Sequence, residues 1–200
     1  MTNIEYAQAD ILRLGEITRT FDLIESVGVL HHLAEPIAGW RTLLSRLRPG
    51  GFMNLGFYSE LARRRVVKTR EFIAARGYQG TPEEIRRFRQ DLAGKDAGAG
   101  LLRLTEASDF YSTSECRDLL FHVQEHRLTL NQIESFLADS GLDFLGFELE
   151  PSVLNQYRAR FADDPSMTNL RNWALFEADN PDTFFAMYHF WIQKPSDQRR

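Results

Sequence analysis

With a single cysteine, Cys116, among 200 residues, the chain can form no internal disulfide, which excludes the cross-linked small secreted folds. A lone thiol of this kind is more often a small buried apolar group than a nucleophile. No apolar run approaches the roughly 20 residues of a membrane-spanning helix. The opening Met1-Thr2-Asn3-Ile4-Glu5 is polar and acidic, unlike a cleavable secretory signal. Positive charge is not in excess either: 24 lysines and arginines stand against 28 aspartates and glutamates, for a net charge of −4. That balance argues against a general role on nucleic acid or on a membrane surface. Internal repeats and long low-complexity tracts are also missing. These absences fit a cytoplasmic protein. The 43% hydrophobic and 26% charged content fits one globular domain, or one domain with an inserted cap.

What is present centres on residues 21–32, Phe-Asp-Leu-Ile-Glu-Ser-Val-Gly-Val-Leu-His-His. Phe21, Leu23, Ile24, Val27 and Val29 form the near-continuous apolar run of a strand covered on both faces, as in a parallel sheet between helices. Gly28 is expected to let the backbone come close to a neighbour. His31 and His32 fall just beyond the strand's carboxyl end, where open α/β sheets bind ligands. Residues 35–47 predict a helix with Pro36 in its first turn and a buried face of Ile37, Trp40, Leu43, Leu44 and Leu47. Pro49-Gly50-Gly51 is expected to stop it, and Phe52–Tyr58 to form the next strand. A helix between two strands makes a right-handed βαβ unit. Residues 3–8 alternate weakly and predict a short strand, with Asp10 at its end.

Three of these stretches together resemble the class I S-adenosylmethionine-dependent methyltransferases. Phe21-Asp22 through Val29-Leu30-His31-His32 resembles strand four of that family and the loop after it. Leu47-Arg48-Pro49-Gly50-Gly51-Phe52 is similar to the family's L-x-P-G-G lead into strand five. Ala9-Asp10-Ile11-Leu12 is similar to the acidic turn after strand three. The resemblance covers residues 3–58. It implies an α/β fold: an incomplete Rossmann-like methyltransferase sheet holding strands three to seven, with the first two strands absent and a helical insertion.

The resemblance also implies S-adenosylmethionine as cofactor. Asp10 would accept a hydrogen bond from the adenine amine, Ile11 would flank the ring, and Ser26, Val27 and Gly28 would line the cofactor. Asp10 is equally suited to cap the following turn. His31 or His32 would act as general base; otherwise one stacks beside the cofactor and the other packs under the loop. Tyr58, Tyr111 and His122 would contact the acceptor, although a strand-end tyrosine such as Tyr58 also packs on its neighbours. The family's glycine-rich loop and the acid after its second strand are missing, so half of the cofactor cradle is expected to be absent. In the family order 3-2-1-4-5-7-6 this orphans residues 3–8, exposes one edge of strand four and leaves four adjacent strands, 4-5-7-6.

The remaining chain divides into a helical insert or lid over 59–126 and a return to the core over 127–200, following a core segment of 1–58. Helices are expected over 60–76 and 83–92. The basic residues Arg63, Arg64, Arg65, Lys68 and Arg70 are expected on a solvated face. Gly98-Ala99-Gly100 follows no strand and carries no nucleotide-binding reading. His122-Val-Gln-Glu125-His126 has the spacing of an inverted zincin. If helical, it would set two imidazoles on one face, but nothing singles out the third ligand zinc needs among Glu148, Glu150 and Glu177. The stretch around Leu119–His122 has a looser similarity to methyltransferases fused to tetratricopeptide repeats. Helices over 129–138, 151–161 and 167–178 and strands over 142–149 and 183–193 complete the expectation, with a frayed tail from Ser196.

Three functions follow from these residues. The first is methyl transfer to an unidentified small-molecule or peptide acceptor, as part of a longer chain. The second is a non-catalytic remnant that self-associates through the strand-four edge. The third is a zinc hydrolase using His122 and His126.

Overall fold

The computed structural model describes residues 3–93, 110–121 and 124–196. The apolar run at the centre of the sequence forms β1 (Phe21–Ser26), which passes through a 3₁₀ turn, Leu30–His32, into α1 (Pro36–Ser45). β2 (Leu47–Ser59) follows, then α2 (Arg64–Arg76), α3 (Pro82–Ala93) and α4 (Thr113–Phe121). The chain returns through β3 (Arg127–Leu128), α5 (Leu130–Ser140), β4 (Asp143–Phe147), α6 (Pro151–Arg160), α7 (Leu170–Asp179) and β5 (Tyr188–Gln193).

The main strands lie in the order β1-β2-β5-β4, and the short β3 pairs with the end of β2. β1 and β2 are parallel, as a βαβ crossover requires. β5 is antiparallel to both β2 and β4, which it separates. This is the 4-5-7-6 arrangement that the resemblance implied, an open α/β sheet with helices.

One face of the sheet carries the core. Met53, Leu55 and Phe57 of β2 alternate inward beside Tyr188, Phe190 and Ile192 of β5. Trp40 of α1 is fully buried and stacks on Phe136 of α5, with centroids 3.8 Å apart. Tyr157 of α6 stacks on Trp173 of α7 at 3.9 Å. Side chains of α2, α3 and α4, with Tyr78 and Phe110, build a second apolar cluster around Ile85, Phe88, Cys116 and Leu120. Cys116 is fully buried there.

Several expectations change. Residues 3–10 form no strand, because no partner strand lies beside them among the described residues; a 3₁₀ turn, Ile11–Glu16, follows instead and packs on α1. Pro49-Gly50-Gly51 does not precede the second strand but belongs to its irregular opening. The β1–β2 register jumps from Phe21↔Leu47 to Leu23↔Phe52, and the Gly50 N–H donates to the Lys194 carbonyl at 2.8 Å. α2 starts only at Arg64, because the Ser59 hydroxyl and carbonyl accept from the N–H groups of Ala62 and Arg63. β5 starts only at Tyr188, because Asn180–Phe185 is taken up by turns. Gly98-Ala99-Gly100 and the tail from Asp197 lie outside the described residues.

α5 begins with a complete capping box: the Thr129 hydroxyl accepts from the Gln132 N–H, and the Gln132 side chain accepts from the Thr129 N–H. Its far end is closed by Gly141 at φ 62°. Thr129→Ala is expected to lower stability by about 1 kcal/mol in urea unfolding.

Candidate functional site

The carboxyl ends of β1 and β2 lie side by side, and the 3₁₀ turn after β1 brings His31 and His32 next to the end of β2. The ring centroids of His31 and Tyr58 are 4.0 Å apart and those of His31 and His32 are 4.3 Å apart. The Arg63 guanidinium carbon lies 3.5 Å from the Tyr58 ring centroid. Two groups this close to one centroid would collide on the same side, so Arg63 and His31 sandwich the phenol ring. His31 is fully buried, whereas His32 and Tyr58 are half-buried.

The segment after α4 closes over this stack. The His126 N–H donates to the His31 carbonyl at 2.8 Å. The Gln124 amide donates to the Leu33 carbonyl at 3.2 Å, and His32 Nδ1 lies 3.1 Å from the Gln124 carbonyl. A carbonyl only accepts, so Nδ1 carries the proton of a neutral His32 ring and Nε2 is its basic atom. β3 then pairs with the last residues of β2, Tyr58↔Arg127 and Ser59↔Leu128.

Beneath the stack lies a buried ionic cluster. The Glu125 side chain is 1% exposed and meets Arg63 at 3.1 Å, Arg70 at 2.9 Å and Arg127 at 3.7 Å. One carboxylate thus gathers three guanidinium groups. The Tyr58 ring face takes up part of the surplus positive charge. Burial pushes the Tyr58 phenol above its ordinary range, while Arg63 pulls it back.

A second buried carboxylate closes the same end of the sheet. Glu177 of α7 accepts from the Ser59 hydroxyl at 2.5 Å and from the Tyr188 hydroxyl at 2.7 Å. Burial raises its carboxyl above the ordinary glutamate range, although both hydrogen bonds work in the opposite direction. Alongside, Arg64 and Arg65 of α2 grip Asp182 at 2.7 and 2.9 Å.

The sequence-derived site residues are placed unevenly. His31, His32 and Tyr58 come together. Ser26 ends β1 and is buried, and Val27 and Gly28 follow it. Gly28 adopts φ 75° with nothing within 4 Å of the place a Cβ would occupy. A left-handed backbone, rather than the expected close approach, therefore requires glycine there. The close approach occurs at Gly56, where a Cβ would stand 2.6 Å from Met187 Sδ and 2.8 Å from a Val27 methyl. Asp10 is exposed and caps its turn, accepting from the Leu12 N–H at 2.9 Å. Ile11 packs on the core beside Gly39 of α1. Tyr111 is 69% exposed and touches Phe110. His122 lies outside the described residues.

The zinc reading loses its geometric premise: residues 124–126 are not helical, so Glu125 and His126 do not continue the face of α4. Glu125 is also held by arginines. Among the described residues no group of three or more potential ligands could hold a metal.

Arg63, Glu125 and Glu177 carry much of this geometry, and the sequence did not single them out for it. The basic run was expected in solvent, yet Arg63 is 5% exposed. A cavity of about 460 Å³ lies elsewhere, between α5, α7 and the start of β4, lined by Leu137, Phe144 and Leu170.

Glu125→Gln leaves buried guanidinium groups without their counter-ion and is expected to cost roughly 3–5 kcal/mol. Glu134→Gln, which breaks the exposed pair with Arg171, is expected to cost about 1 kcal/mol or less. Urea unfolding of both variants measures the contrast. Because the folded Glu177 carboxyl binds its proton more tightly than the unfolded one, its contribution is present below the unfolded pKa and lost as pH rises through the folded value. Glu177→Gln is therefore expected to gain Tm relative to the parent chain as pH rises through and above the ordinary glutamate range. A difference independent of pH contradicts this assignment.

No family model matches the sequence. An uncharacterized protein of Synechococcus sp. is 32% identical over 154 residues, covering 72% of this chain and 36% of that protein. The structure of PKMT2 from Rickettsia typhi superposes with a TM-score of 0.65 at 13% identity, covering 96% of this chain and 38% of that one. PKMT2 in complex with AdoHcy gives 0.64 at 13% identity, with 98% and 40% covered. The chain thus spans well under half the length of the proteins it matches. Its four main strands and their helices have the fold of these S-adenosylmethionine-dependent methyltransferases.

Proposed function

We propose that the chain is part of an S-adenosylmethionine-dependent methyltransferase, acting within a longer polypeptide and supplying the side of the site that meets the methyl acceptor. The observation that carries this reading is the His31–His32–Tyr58 group at the carboxyl ends of β1 and β2, in a sheet of this strand order. The open space beside Gly28, with Val29 42% exposed next to it, fits a ligand lying across the end of β1. AdoHcy in the complex with PKMT2 is the demethylated product of this cofactor and supports the same chemistry.

When bound, S-adenosylmethionine supplies an activated methyl group on a sulfonium. Ser26, Val27 and Gly28 would flank it, and Asp10 and Ile11 would serve the adenine end after Asp10 gives up its cap on Leu12. Tyr58, with Tyr111 and His122 from the insert, would orient the acceptor. His32 is the better placed of the two imidazoles to take the acceptor's proton: its ring is half-buried and its Nε2 is the basic atom. His31 is fully buried and serves to position Tyr58 and His32. Most of the rate would come from holding acceptor and methyl in line. The acceptor is a small molecule or a peptide side chain.

A second reading, self-association as a non-catalytic module, is favoured by the outer edge of β1. No strand pairs with it among the described residues, and Leu23 on that strand is 52% exposed.

Calorimetric titration with S-adenosylmethionine separates the two readings. Binding on the order of micromolar supports methyl transfer, and none at about 1 mM supports the association module. Gly28→Val forces a side chain into a left-handed position and fills the adjoining space, so it is expected to weaken binding at least about tenfold. His32→Asn is expected to leave cofactor affinity intact.

A further inference from the structure

The ionic cluster beneath Tyr58 is unbalanced in charge. Glu125 meets Arg63 at 3.1 Å, Arg70 at 2.9 Å and Arg127 at 3.7 Å, so one carboxylate faces three guanidinium groups. The first two contacts are hydrogen bonds, and the third is too long to be one. The Nε–H groups of Arg63 and Arg70 are buried and donate to nothing among the described residues, so Glu125 does not saturate the donors around it. Asp118 of α4 is the other negative charge that acts on the Tyr58 phenol, but it is exposed and its field is screened. Three guanidinium groups against two carboxylates leave one positive charge without a counter-ion.

Burial falls off toward one opening. The side chains of Glu125 and Arg63 are 1% and 6% exposed, whereas those of Arg70 and Arg127 are 20% and 30% exposed. Arg127 pairs with Tyr58 in the parallel β2–β3 register, and paired residues of neighbouring strands project from the same face. The Arg127 side chain and the half-buried phenol therefore stand side by side where the cluster opens. The Tyr58 hydroxyl forms no hydrogen bond among the described residues. Arginine donors beside a hydroxyl donor suit a carboxylate, which only accepts. A single surplus positive charge matches this monoanion better than a phosphate dianion.

The position of the opening selects the source of the carboxylate. The centroids of Tyr58 and His32 are 6.3 Å apart, so a small group anchored at the phenol reaches the imidazole. A carboxylate fixed there by the rest of a longer polypeptide would block the entrance that an exchanging acceptor uses. S-adenosylmethionine carries a carboxylate of its own. Arg63, however, lies on the face of the phenol turned away from His31, whereas Ser26, Val27 and Gly28 precede the imidazole turn.

We propose that the methyl acceptor carries a carboxylate, which Arg127 and the Tyr58 hydroxyl bind beside His32 while Arg63 and Arg70 supply the positive field behind them. This rests on the methyl-transfer reading and names the chemistry of its acceptor.

The test follows the arginine Nε–H NMR signals of the chain during titration with sodium acetate, with sodium chloride at equal ionic strength as control. Acetate is expected to shift the Arg127 and Arg70 signals saturably, with a Kd on the order of millimolar, and chloride is not. Arg127→Gln, followed at Arg70, is expected to weaken binding at least about tenfold, and Tyr58→Phe several-fold. Should Arg127→Gln fail to fold, Arg127→Lys, which keeps the charge but not the planar fork, serves in its place. Arg171→Gln, in an exposed pair elsewhere, is expected to change nothing. Glutarate and a capped glutamate tripeptide tell a small-molecule carboxylate from a peptide side chain, and tighter binding of either than of acetate supports the proposal. Equal shifts with chloride mean an adventitious ion only and overturn it. So does acetate binding that survives Arg127→Gln. Acetate displaced by saturating S-adenosylmethionine makes the cofactor's own carboxylate the occupant, and acetate binding lost in the longer polypeptide makes its remainder the source; either result overturns the proposal. Acetate binding is read without cofactor, so the absence of S-adenosylmethionine binding alone refutes the methyl-transfer reading, and the absence of acetate binding alone refutes this inference.

Discussion

The molecule hangs on the two hydrogen-bonded edges of β2. One edge receives β1 in parallel and the other receives β5 antiparallel. These two ladders fix which residues of β2 face the helices and which face outward, because a shift of one residue would exchange the faces. They also fix where the strands stop together, and hence where the imidazole pair meets Tyr58. Even the irregular Pro49–Gly51 opening is held, by reciprocal bonds between Gly50, Gly51 and Lys194.

Around that frame, the described part of the segment between β2 and β3 is attached by ionic and hydrogen-bonded contacts, with Ala62 alone in the buried core of the sheet. Its own cluster is separate from that of the sheet. Asp182 with Arg64 and Arg65 ties the segment to the turn before β5, Glu125 with Arg127 ties it to β3, and Glu125 with Arg63 and Arg70 ties its two ends together. A buried pair gains little over an apolar contact in stability, but it specifies geometry, since losing one partner is costly. Arg63 is thereby set against the Tyr58 ring, which in turn sets His31. The arrangement of the aromatic group at the strand ends is decided partly by a glutamate from a different part of the chain.

Much of the frame was legible in the sequence because it rests on local signals. The apolar run at 21–29, the periodicity of Ile37, Trp40 and Leu43, and Pro36 in the first turn of its helix each act within a few residues. The proximity of His31 to Tyr58 followed from neighbouring parallel strands. Elements bounded by distant contacts were less legible. The expected strand at 3–8 had a weak alternation but no neighbour to bond with among the described residues. The basic run at 63–70 looks solvated until Glu125 and Asp182 are brought in, and no spacing rule links residues so far apart. Gly28 and Gly56 show the same limit: both are glycines near strand ends, yet one answers to backbone conformation and the other to Val27 and Met187, contacts that only coordinates reveal.

The antiparallel seating of β5 between β2 and β4 also bears on how the chain is made. The ribosome delivers β2 well before the strand that completes it, which lies far downstream in the sequence. At about 5–20 residues per second, the ladder between Gly56 and His189 waits on the order of ten seconds for its second half. During that interval Met53, Leu55 and Phe57 stand on a nascent strand open along one edge, and chaperone protection at that stage would govern how much chain reaches the native state.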